Sequence, residues 1–347
     1  MPTEAEEIWR YSRVGLINFD SFAEVIDCPP AVSVETLATR ETEPLLKADH
    51  DVFAGLVDAV ATSTVIHVGK GERVIAPITV DHDLPESVHG NVAVAHLVIE
   101  AGENAEVTVI HRVRSADISG LFVPQVEIVL GSGARVRYVV VQELGPQMVQ
   151  IGSQITATGR DATLSSMAVS LGGLYARLRF DAAMNDRGGH NELLAVYFAE
   201  REQMHDFRTV QHHIAPRTTS ELVFKGAVAG NARSVYSGLI KIGVNARGTS
   251  ANQTNRNLLL SPNASAESVP NLEIENNDVK CSHASAIGPI DDQERYYLES
   301  RGVPSGIADR LIVLGFFNEL LSRIPDDDLR VRLIASISEA FDRRALS

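Results

Sequence analysis

One short pattern recurs through the middle of the chain at nearly constant intervals. Gly102-Glu-Asn-Ala105-Glu-Val107 is followed by Gly131-Ser-Gly-Ala134-Arg-Val136 and Gly159-Arg-Asp-Ala162-Thr-Leu164, and a looser copy, Gly189-His-Asn-Glu192-Leu-Leu194, comes next. The glycines stand 29, 28 and 30 residues apart. In each copy a glycine supplies the turn, a small residue follows, and an apolar residue opens a strand. Between copies run β-branched stretches such as "VAVAHLVIEAGENAEVTVIHRV", with no segment of helical period. A repeat of this kind cannot bury its own apolar face, so neighbours must stack over one continuous core. The sequence therefore predicts an all-β core, a parallel β-helix over residues 64–290. A sandwich or a barrel would also give many short strands, but neither explains a fixed period.

The flanks have a different texture. Residues 1–63 read as a helical or irregular segment: Thr3 is placed to cap a helix leading to Trp9, and "ADHDVFAGLVDAVAT" has the spacing of a second helix. Residues 291–347 read as three helices. "DDQERYYLESRG" opens on an Asp cap and closes on Gly302. Ile307, Leu311, Leu314, Phe317, Leu321 and Ile324 form one stripe before Pro325, and Leu329, Leu333, Ile337 and Phe341 form another. Such helices either cap the solenoid core or dock a partner.

Charge and cysteine usage narrow the function. Lys and Arg number 31 against 45 Asp and Glu, a formal charge of −14, which disfavours nucleic acid as a partner. No apolar stretch approaches the length of a membrane span, and the acidic start lacks a secretory h-region, so no membrane association and a cytoplasmic location are expected. Cys28 and Cys281 are the only cysteines, too few for a disulfide framework or a self-sufficient metal centre. Nucleotide-binding P-loop, dinucleotide, zinc-protease and serine-nucleophile motifs are absent.

The feature left to explain is "NNDVKCSHASAIGPID". On an extended strand, Val279, Cys281 and His283 share a face, with Lys280 and Ser282 opposite. A thiol and an imidazole at this spacing can bind metal, make a nucleophile whose pKa the histidine lowers, or simply fill a core. His67, His96 and His111 sit singly within strands and read as structural. His212 and His213 precede a turn and are weak site candidates.

From Gln211 onward the chain resembles the SufB/SufD family of iron–sulfur cluster assembly proteins, its SufD side more than its SufB side. The resemblance is carried by "HIAPRTTSELVFKGAVAGNARSVYSG", by "SANQTNRNLLLSPNASAESVPNLEIENNDVKCSHASAIGPID", by "YYLESRGVPSGIADRLIVLGFF", and near the start by "EEIWRYS". It implies a right-handed parallel β-helix flanked by helical N- and C-terminal segments, and a non-catalytic scaffold subunit. That subunit would pair with SufB through the β-helix and bind the ATPase SufC through its C-terminal helices, by Leu311, Leu314, Phe317 and Leu321. The resemblance also assigns Cys281 and His283 to a nascent iron–sulfur cluster site shared with SufB, the cluster being transient and no permanent cofactor being bound. Half of a shared site needs only one or two ligands. The alternatives are a SufB-like scaffold acting as a homodimer and, from another class, a β-helix polysaccharide-active enzyme. The cysteine-free stretch between Val65 and Lys280 favours SufD over SufB.

Overall fold

The repeat does stack. A computed structural model describes residues 2–3, 9–36, 39–45, 47 and 50–343, and among these residues two nine-stranded sheets form the body of the chain. Successive strands alternate between the sheets. Gly120–Leu130 lies between Val92–Ala101 and Met148–Thr158 in one sheet, and Arg135–Glu143 lies between Glu106–Ser115 and Thr163–Ser170 in the other. These pairings are parallel; Ala31–Val32 against Ile78–Leu84 is antiparallel. This is a parallel β-helix. Alternate side chains point into its lumen, where Ile99, Ile128, Val136 and Tyr138 pack in the first half, and Phe180, Phe207, Phe224 and Tyr236 in the second.

Glycine in the repeat does a different job from the one its turn position suggests. Gly102, Gly131 and Gly159 do not have positive φ. They sit where one coil touches the previous one: a Cβ at Gly131 would stand 2.9 Å from the backbone nitrogen of Glu103, and one at Gly159 would stand 2.7 Å from the carbonyl of Leu130. The left-handed residue comes two positions later, at Asn104, Gly133 and Asp161. The fourth copy is also shifted. Thr163 pairs with His190, so the left-handed partner of Asp161 is Gly188 and Gly189 falls opposite Ala162. Asparagine and aspartate tolerate this backbone region, which is why the column need not be all glycine.

The N-terminal segment is less helical than expected. Val25–Asp27 and Ala31–Val32 add short strands, one to each sheet. The helix expected from Thr3 rests on residues 4–8, which lie outside the described residues. Trp9 is buried on the outer face of the first sheet, with the Arg177 guanidinium 3.9 Å above its ring. Helix α1 (Val52–Val60) lies within the stretch expected to be helical, Asp51 accepting from the backbone amides of Phe53 and Ala54. Just before it, residues 40–45 cross the first sheet as a strap held by two buried carboxylates. Glu100 accepts from the amides of Glu41 and Thr42, and Glu127 accepts from Arg40 and the amide of Leu45.

Three helices follow the solenoid: α2 (Asp292–Ser300), α3 (Ser305–Leu321) and α4 (Asp327–Arg343). Asp291 caps α2 through the amides of Gln293 and Glu294. Helices α3 and α4 do not cap the solenoid end. Phe317, Leu320, Leu321, Leu333, Ile337 and Phe341 instead join Val139, Val141, Leu194, Val196 and Phe198 in one cluster on the flank of the second sheet. The end therefore stays open. Ser265–Ile274 and Val279–Gly288 are the last strands of the two sheets. No described residue pairs with their outer edges, and Ile274, in line with fully buried Ile242, is 44% exposed.

Candidate functional site

Cys281 and His283 lie on the strand that forms this open end. The turn before it is built by Asn276, whose side-chain amide donates to the carbonyl of Val244 (2.7 Å) and whose Oδ1 accepts from the amide of Asp278 (2.9 Å). Register then fixes which way each residue faces. Cys281 pairs with Ala251, and His283 with Gln253, both buried lumen residues. Cα-paired residues on neighbouring parallel strands point to the same side. The expected face is therefore present: Cys281 and His283 extend the lumen column at its mouth. Lys280 and Ser282 lie on the outer face, where the Ser282 hydroxyl donates to Asn252 Oδ1 (2.7 Å).

The surroundings of Cys281 favour its neutral thiol. Cys281 is half-buried against Ile240, Ile242, Ala246 and Ala251. Burial pushes its thiol pKa up, opposed by a hydrogen bond from the backbone of Ala251. The His283 ring is exposed and has no hydrogen-bond partner among the described residues. The pair is not a metal centre by itself, since no group of three or more His, Cys, Asp or Glu suited to a metal forms among the described residues. What the structure shows is a thiol and an imidazole, both able to ligate metal, on a strand whose outer edge is unpaired among the described residues.

The other histidines divide cleanly. His111 is structural, as expected, and belongs to a buried chain that the sequence did not reveal. The carbonyl of Cys28 can only accept, so His82 Nε2 carries the hydrogen at 3.1 Å. His82 Nδ1 then accepts from His111 Nε2 (2.6 Å), and His111 Nδ1 accepts from the Tyr138 hydroxyl (2.7 Å). Every hydrogen in the chain is assigned by elimination, with both rings neutral. Burial lowers the His82 pKa to about 4 and puts that of His111 well below its ordinary value. His96 bonds Glu127 (2.9 Å) and Ser63, and His67 lies 3.4 Å from Glu100. His213 is buried between Thr218 and Ser220 hydroxyls. His212 is half-buried on the outer face, its pKa lowered by burial and by Lys241.

The helical surface needs correction. Phe317 and Leu321 are fully buried in the flank cluster and cannot form a docking face, and Leu314 is half-buried against that cluster. Of the four, Leu311 is the exposed one, at 46%. Ile307, Tyr296 and Tyr297 are exposed as well. Gln293, Glu294, Tyr297, Leu298, Leu311 and Ile312 line a cleft of 480 Å³ between α2 and α3. The sequence stripe runs from the exposed part of α3, at Ile307 and Leu311, into the core at Phe317 and Leu321; Tyr297 of α2 lines the cleft beside Leu311.

Residues 84–316 match the family described as "SUF system FeS cluster assembly, SufBD core domain". The chain belongs to the SufBD family. A SufBD family iron–sulfur cluster assembly protein of Mycobacterium leprae is 32% identical over 356 residues, covering 97% of this chain and 90% of that protein. Its counterpart from Mycobacterium tuberculosis is 32% identical over 361 residues, with 99% and 90% covered. The iron–sulfur cluster assembly protein SufD of Escherichia coli is 29% identical over 294 residues, 83% of this chain and 69% of that one. The family match spans the open end, both edge strands and the start of α3. The SufBD assignment thus covers both surfaces described above and replaces the carbohydrate-active alternative.

Proposed function

We propose that this SufBD family protein is a SufD-type, non-catalytic scaffold subunit. It pairs with SufB through the open end of its β-helix, binds the ATPase SufC through the cleft between α2 and α3, and supplies Cys281 and His283 to an intersubunit site for a nascent iron–sulfur cluster. The observation that carries this reading is the coincidence of three features in one strand. Val279–Gly288 is the edge of its sheet, borders an uncovered lumen, and holds the only thiol–imidazole pair on that edge. A partner strand added there would satisfy the free backbone groups and cover Ile274 and Ile287 in one step.

Chemically, the cluster is cargo rather than a resident cofactor. Because burial favours the neutral thiol, Cys281 binds iron only with loss of its proton, which arriving metal charge promotes. A neutral imidazole offers a lone pair without a prior deprotonation step. ATP hydrolysis belongs to the partner. A reducing cytoplasm suits both free thiols, Cys28 and Cys281.

The test is copurification of the SufB–SufC–SufD complex with iron and sulfide analysis, comparing His283→Ala, Cys281→Ala and Lys280→Ala. Loss of cluster in the first two, with the complex intact and the third normal, is expected. Normal cluster content in both would overturn the site assignment. The same free edges also admit a second copy of this chain, so a SufB-like homodimer is the second reading. A stable self-dimer that excludes SufB would favour it.

A further inference from the structure

Two polar groups without hydrogen-bond partners among the described residues lie on neighbouring strands at the mouth of the lumen, and we propose that they form one device: Gln253 positions the imidazole of His283. The inference rests on the reading of His283 as a ligand of the shared site. Gln253 is 1% exposed, and neither its Oε1 nor its Nε2 has a hydrogen-bond partner among the described residues. Burying an amide unpaired costs about 1–3 kcal/mol relative to an apolar residue of the same shape. The surroundings nevertheless make room for it. Gly238 faces the amide, and a Cβ there would stand 2.7 Å from Nε2, 2.8 Å from Oε1 and 2.4 Å from the Tyr236 hydroxyl. His283 is the register partner of Gln253 on the next strand, about 4.8 Å away along the hydrogen-bonding direction, and its ring is likewise unpaired. Turning the amide toward the mouth brings the two together.

The direction of the bond follows from what a ligand must present. An imidazole that offers a lone pair outward carries its hydrogen on the other nitrogen. Gln253 Oε1 accepts that hydrogen, which fixes the tautomer and the ring plane. The opposite arrangement, Nε2 donating to the ring, would leave the outward nitrogen protonated and unable to ligate. Gln253 is thus a positioning residue, and "NQTNRN" contributes to the site from one coil below it. Lumen-facing Asn255 continues the column beneath Ser285, with its own Nδ2 unpaired.

The experiment is nitrogen-detected NMR of the chain labelled with ¹⁵N-histidine, at about pH 8 where an ordinary imidazole is neutral. The His283 signal is assigned by its loss in His283→Gln. One tautomer should dominate in the wild type. Gln253→Leu should shift the tautomer ratio about fivefold toward the mixture of a free ring, the effect of a hydrogen bond of about 1 kcal/mol. Gln253→Glu, which keeps an acceptor oxygen, should restore the single tautomer, and Gln253→Met replaces the leucine variant if that one fails to fold. Identical His283 nitrogen shifts in wild type and in the apolar variant would overturn the proposal. Cluster content after His283→Ala tests the underlying site separately, since the tautomer reports the pairing whether or not a cluster ever forms.

Discussion

Lowering the pH from 7 to 5 should strongly destabilise this protein, and the lumen explains why. His82, His205 and His213 are buried, and burial holds each at a pKa of about 4. An unfolded histidine titrates near 6.5. Between these values the unfolded chain binds more protons than the folded one, so stability is complete above about pH 6.5 and is lost as pH falls toward 4. Each group then withdraws up to about 3 kcal/mol, and about 2 kcal/mol by pH 5. Three together remove about 6 kcal/mol at pH 5, comparable to the whole stability of many domains. His111, also shifted down, adds in the same direction. The assay is the urea midpoint at half-unit pH steps, with His205→Gln and His82→Gln alongside the wild type. Each variant should lose one proton's share of the slope, about 1.4 kcal/mol per pH unit. A midpoint that stays level from pH 7 to 5, or a slope unchanged by either substitution, would refute the assignment of neutral buried histidines.

Phe317→Ala should cost about 3–5 kcal/mol, because the ring is fully buried in the flank cluster. Leu311→Asp should leave thermal unfolding nearly unchanged yet abolish pull-down of SufC, and retained binding would move the docking face elsewhere. Glu127→Gln should loosen the strap over residues 40–45, read as faster proteolysis there. Arg40, His96 and the Leu45 amide hold the Glu127 pKa down to about 2 against its burial, so the strap's support is full above about pH 4.5 and fades as pH falls toward 2. Gly226→Ala should destabilise by about 1–3 kcal/mol, since the new Cβ would meet the Tyr197 ring at 2.1 Å and Asn257 Oδ1 at 2.6 Å.

The solenoid was legible because its constraint is repeated. Every coil must bury the same stripe against its neighbours, so period and strand texture recur in the letters. The limits of that legibility are physical too. Gly189 imitates the motif while Gly188 occupies the left-handed position, because asparagine, aspartate and glycine are interchangeable there and the true column runs through all three. Helix α3 shows a harder case. Apolar residues lie on both its sides, some against the flank of the second sheet and some toward the cleft with α2, so a stripe drawn on one helix cannot say which side is core. The strap was unreadable for a different reason: Glu100 and Glu127 sit in strands as isolated acids, and the amides they hold belong to an irregular segment more than fifty residues earlier.

The candidate site shows where local reading stops. Strand alternation places Cys281 and His283 on one face, and the register confirms it. Alternation cannot say that this face opens onto an uncovered lumen, because that depends on α3 and α4 packing along the flank instead of over the end. It also cannot link Gln253 to His283, since the two are joined only by the register of one coil on the next. Yet a signal was there. Gln253, Asn255 and Asn257 alternate polar residues along a strand whose lumen neighbours in earlier coils are Leu222 and Phe224. A polar column where the period calls for apolar residues breaks the rule that built the fold. In a solenoid, whose coils otherwise repeat one another, such a break is the place to look for what the chain does rather than how it stands up.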